Sequence, residues 1–90
     1  MDKQILIPIN LFSLNQQIVI IDENGNMNNF AQVELTSLPE VVVEASRVYD
    51  ISKIKIIGNA NYGEALSNEI NEFANSNYSN SNLNIIVLEG

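Results

Sequence analysis

Ser37-Leu38-Pro39-Glu40-Val41-Val42-Val43-Glu44-Ala45-Ser46-Arg47-Val48-Tyr49 is the stretch on which the fold turns. Its middle, Val41-Val42-Val43, is a β-branched run that suits a strand. Its start suits a helix. Ser37 can cap, Glu40 sits three residues on to complete a capping box, and Pro39 is tolerated in a first turn. Val41, Val42, Ala45, Val48 and Tyr49 then recur at helical spacing. Cap and periodicity outweigh the valine run, so the segment is read as a helix. The topology depends on this reading.

Towards the N-terminus, Gln4 to Phe12 is an apolar, β-branched run of strand length. Pro8 cannot donate to a ladder and marks an edge, a bulge or a strand end. Ser13-Leu14-Asn15-Gln16 reads as a short polar turn, and Gln17 to Asp22 as a second strand. Ile18-Val19-Ile20-Ile21 is apolar on both faces, which suits a central position. Asn24-Gly25 is a hairpin signal, since both residues tolerate positive φ. A third strand runs from Met27 to Leu35, with Ala31, Val33 and Leu35 on one face and Phe30, Gln32 and Glu34 on the other.

Towards the C-terminus, Ser52 to Ile57 reads as a strand that ends at Gly58-Asn59. Asn61-Tyr62-Gly63-Glu64 opens a second helix, with Asn61 as its cap, a carboxylate three residues on, and Tyr62, Leu66, Ile70 and Phe73 as its stripe. Asn75 to Asn82 is Ser/Asn-rich and reads as a loop, and Leu83 to Leu88 as a last strand. The fold class expected is α/β (α+β): a five-stranded mixed sheet in the order βββαβαβ, with two right-handed crossovers and two helices on one or both sheet faces.

Ninety residues make a single domain, 1–90, and 46% hydrophobic content is enough for a core. There is no cysteine, which favours a cytoplasmic protein over a small secreted one. Met1-Asp2-Lys3-Gln4 does not read as a signal peptide, and no apolar run approaches the roughly 20 residues of a membrane span. The net charge is −7, and the four cations are Lys3, Arg47, Lys53 and Lys55. Phosphate backbones and anionic membranes call for clustered cations, so neither direct nucleic-acid binding nor membrane binding is expected. Eleven carboxylates among 90 residues serve solubility, or a basic partner protein. Fifteen asparagines point to AT-rich coding DNA, as in a low-GC bacterium or a phage of one.

The element order resembles the ribonuclease-H-like fold, whose sheet order is 3-2-1-4-5. That resemblance implies a metal-binding Asp in the first strand and further carboxylates at the ends of later strands. This chain offers Pro8, Ile9 and the neutral Asn10 in the first, Gly58-Asn59 at the end of the fourth, and Glu89 in the last. Asp22 and Glu23 lie at the hairpin tip. The resemblance therefore implies an inactive, minimal version. Ile21-Asp22-Glu23-Asn24-Gly25-Asn26 and Lys53-Ile54-Lys55-Ile56-Ile57-Gly58-Asn59 are also similar to segments of small bacteriophage proteins.

Chemistry-bearing motifs are scarce. Asp22-x-Asn24-x-Asn26 imitates the start of a calcium loop, but its sixth position is Met27 and its twelfth is Val33, where Gly and Glu are required. With neither Cys nor His, the usual nucleophiles, bases and zinc ligands are missing, so no catalytic residue, metal or cofactor is expected. The sequon Asn77-Tyr78-Ser79 is read as chance. Gly58, Asn59, Asn61 and Gly63 join a strand end to a helix start, where open α/β sheets hold ligands; a tight turn with an Asn cap also explains them. Tyr49 and Tyr62 fall on helix stripes and are assigned to the core, which leaves Tyr78 as the candidate surface aromatic.

The function expected is a non-enzymatic protein-interaction module that binds a protein partner or itself. The third strand is the candidate interaction edge, with Phe30, Gln32 and Glu34 facing out and neither Lys nor Pro to guard it. The alternatives are a small-ligand or residual enzyme site at Gly58 to Gly63, and an acidic inhibitor of a nucleic-acid-binding protein.

Overall fold

Leu38 to Val48 is helical in the computed structural model, which describes residues 2–78 and 82–89. The elements are β1 (Gln4–Pro8), β2 (Asn15–Ile21), β3 (Met27–Glu34), α1 (Leu38–Val48), β4 (Lys53–Gly58), α2 (Ala60–Asn77) and β5 (Asn84–Glu89). The expected capping box on α1 does not form. A 3-10 turn, Leu35–Ser37, runs straight into the helix, so Ser37 has a helical backbone (φ −93°, ψ −8°) and makes no side-chain cap. A capping side chain needs the extended backbone that Ser37 lacks. At its other end α1 closes in a Schellman turn. The Tyr49 N–H bonds the Ala45 carbonyl at 3.0 Å, the Ile51 N–H bonds the Ser46 carbonyl at 2.8 Å, and Asp50 between them takes a φ of 54°.

The sheet order is β3-β2-β1-β4-β5. β2 is antiparallel to both neighbours, while β1 is parallel to β4 and β4 to β5, so four strands share one direction. Both crossovers, β3–α1–β4 and β4–α2–β5, advance across the sheet the same way. Right-handed crossovers that do so put their helices on the same face. The core records this: Ile5, Ile7, Ile18, Ile54 and Ile56 from the sheet are buried with Leu38, Val42 and Val43 of α1 and Leu66 and Ile70 of α2. Fully burying one such side chain stabilises the fold by about 1.5–3 kcal/mol.

Several boundaries differ from the sequence reading. β1 ends at Pro8 rather than Phe12, because Pro8 offers no N–H and the chain turns at Asn10. The cap of α2 is Asn59, not Asn61: its side chain accepts from the Tyr62 N–H at 3.0 Å. α2 continues to Asn77, into the segment read as a loop, where the Asn77 side chain donates to the Phe73 carbonyl at 2.9 Å. Residues 79–81 of that segment lie outside the described residues. The hairpin after β2 carries positive φ at Gly25 (85°) and not at Asn24. Asp22 closes it, its carboxylate accepting from the Asn24 and Asn26 N–H groups, each at 2.9 Å.

The largest correction is in β3. Ile18 pairs with Ala31 but Val19 pairs with Asn29, so Phe30 is an extra residue in a bulge. Phe30 was expected on the outer face with Gln32 and Glu34. The bulge instead sends it to the helix side, where its ring meets Tyr49 at the end of α1.

Candidate interaction surfaces

The strands alternate, so each buries one set of side chains under the helices and turns the other set away. The register gives the rows on the far face. One row runs Asn29, Val19, Leu6, Lys55, Ile86; the row beside it runs Met27, Ile21, Gln4, Lys53, Asn84. Ile57 and Leu88 pair in the next row. None of Leu6, Ile21, Ile57, Ile86 or Leu88 belongs to the core or packs against it. Val19, paired between Leu6 and Asn29, is buried at 7% exposure, while Ile86 and Leu88 at the β5 edge are 45% and 43% exposed. Both helices being on the other side, this face is a mixed apolar and amide surface with no layer over it.

Its charges are few. Alternation places Lys53, Lys55 and Glu34 on it, and Lys53 pairs with Asp2 at 3.4 Å. The remaining polar groups are amides, among them Gln17 and Asn29, which hydrogen-bond each other across β2 and β3. The acidic residues Glu40, Glu44, Glu64, Glu69 and Glu72 are on the helices, in the opposite layer. The chain is therefore polarised into an acidic helix layer and a nearly neutral sheet face.

The loop between β1 and β2 is a second exposed apolar feature. Gln16 was assigned to a turn, yet its side chain is buried at 1% exposure on the helix side of β2. Its amide accepts from the Asn10 N–H at 2.7 Å and donates to the Asn10 and Ser13 carbonyls at 2.7 and 3.0 Å. The Asn10 side chain then accepts from the Phe12 N–H at 3.0 Å. A loop satisfied from within in this way presents Leu11, Phe12 and Leu14 to solvent, Phe12 with its ring fully exposed.

The β4–α2 turn is accounted for by packing. Gly58, at φ 152°, lies against Ile9, and a Cβ there would meet the Ile9 side chain at 3.1 Å. Gly63 is pressed onto β5, where a Cβ would come within 2.5 Å of Val87 Cγ1. Asn59 is the helix cap and Asn61 is exposed in the first turn of α2.

The aromatic assignments exchange places. Tyr78 is half-buried against the core under the Arg47 guanidinium, 3.6 Å above its ring centre, and is not a free surface aromatic. Tyr49, assigned to the core, is 42% exposed. With Phe30 and Val41 it lines a groove of about 410 Å³ beside α1, rimmed by Glu40 and Glu44. Gln32 and Glu34 remain on the exposed edge strand. Among the described residues no cluster of acidic side chains is arranged to hold a metal ion, and no helix is long and apolar enough to cross a membrane.

Sequence reasoning missed the uncovered face. The signal was present: the strands are apolar on both sides, while both crossovers move in one direction and can cover only one. Compared with known protein families, curated proteins and solved structures, the chain matches none.

Proposed function

We propose that this chain is a non-enzymatic protein-interaction module that docks through the sheet face opposite its helices. The observation that carries this reading is the apolar set Leu6, Ile21, Ile57, Ile86 and Leu88, half-buried or exposed, which spans four strands outside the core. Exposed apolar patches of this extent mark interaction surfaces. The topology is read as a minimal ribonuclease-H-like fold without its nuclease carboxylates, supported by the β3-β2-β1-β4-β5 order and by Asn10 beyond the end of β1. The asparagine-rich composition supports a phage or low-GC bacterial source, and the lack of cysteine supports a cytoplasmic setting.

Site-specific photo-cross-linking in cells tests the docking face. A photoreactive residue at Leu6 or Ile86 should trap a protein, either another chain or a further copy. The same residue at Asn68 or Glu72 on α2 should trap none. Cross-links confined to the helix positions would overturn the proposal.

A further inference from the structure

We infer that the occupant of the uncovered face is a second copy of this chain, the two sheets packing face to face about a two-fold axis with the helices outermost. The inference rests on the docking face proposed above and adds the identity of the partner.

Area is the first ground. Five strands at about 4.8 Å spacing make a face about 24 Å wide. The molecule measures 32 × 31 Å across and 20 Å deep, the depth of one sheet bearing one helix layer. With strands of five to eight residues the face is about 500 Å² in projection, and its rougher accessible surface approaches the ~800 Å² per partner that stable complexes bury. Two such sheets pack about 10 Å apart, each supplying one inner face.

Charge is the second. Two chains of −7 repel unless their acids stay apart. Face-to-face packing brings together the least charged surface of each copy. It leaves Glu40, Glu44, Glu64, Glu69 and Glu72 on outer layers, separated by two sheets and beyond the ~8 Å screening length at physiological salt. A basic partner would be drawn to those helices rather than to the face.

Self-complementarity is the third. A two-fold interface sets a patch against itself, so any one-signed rim opposes its own charge. Amides both donate and accept, and the polar members of this face include Gln4, Gln17, Asn29 and Asn84; of its two cations Lys53 is paired with Asp2, and Lys55 is the one that the two-fold axis must hold away from its copy. The β3 edge is a poorer route to a dimer, because the Phe30 bulge interrupts its ladder.

Light scattering over a wide concentration range tests the inference, with Ile86→Glu and the milder Leu88→Asn as probes and circular dichroism to verify folding. The wild-type mass should approach twice 10.0 kDa, and added salt should preserve or strengthen the dimer. Ile86→Glu should weaken it by about 100-fold and Leu88→Asn by about 10-fold, since each dimer then buries two unpaired polar groups. A monomer at every concentration, or a dimer indifferent to both substitutions, would overturn the inference. A monomer whose Leu6 or Ile86 cross-links to a different protein would overturn the second copy alone and leave the docking face standing. A monomer with no cross-link at either position would remove both.

Discussion

Phe30 and Tyr49 meet edge to face, their ring centres 5.6 Å apart and their planes at 85°. The contact ties the bulge of an edge strand to the end of α1. Edge-to-face pairs add about 0.5–1.5 kcal/mol beyond the area they bury. A double-mutant cycle with Phe30→Leu and Tyr49→Leu, read by chemical denaturation, should give a coupling energy in that range. Additive losses would mean that the rings do not hold the bulge.

Gln16 is expected to be the key to the β1–β2 loop. Gln16→Ala removes three hydrogen bonds and leaves the Asn10 N–H without its partner, at a cost of about 1–3 kcal/mol. Amide exchange at Asn10 and Phe12 should quicken. Phe12→Ser, at an exposed position, should change stability by no more than about 0.5 kcal/mol. A larger loss would place the Phe12 ring in a contact of the folded chain.

Gly63→Ala should destabilise by about 1–3 kcal/mol, because the new methyl meets Val87 Cγ1 at 2.5 Å. Val87→Ala in the same chain should recover part of that loss. Recovery distinguishes a steric clash from an effect on the α2 cap, where the Asn59 side chain accepts from the Tyr62 N–H.

Asp50 holds a left-handed φ of 54° and stands beside the negative end of α1. Asp50→Gly relieves both and should raise stability by about 0.5–1 kcal/mol, seen as a higher denaturation midpoint at unchanged slope.

Much of the fold was legible because local signals agreed with it. The spacing of Val42 and Ala45 outweighed the Val41-Val42-Val43 run, and in α1 these positions are buried with Leu38. The cap of Ser37 was illegible because a 3-10 turn before the helix leaves no mark at that residue. The Phe30 bulge shifts a register that alternation alone assumes to be unbroken. Gln16 and Asn10 form their clamp across six residues, a relation that neither side chain announces. The uncovered face follows only from handedness and topology together. No single segment displays it: Leu6, Val19 and Ile86 each look like ordinary strand residues until the register aligns them.

The most direct measurement is the relaxation of methyl signals by a soluble nitroxide, compared between dilute chain and assembled complex. Docking through the sheet face predicts that the Leu6, Ile57, Ile86 and Leu88 methyls are shielded on assembly, while Val48 and Leu14 stay exposed. Face methyls that remain accessible in the complex, with shielding at Val48 or Leu14 instead, would contradict it.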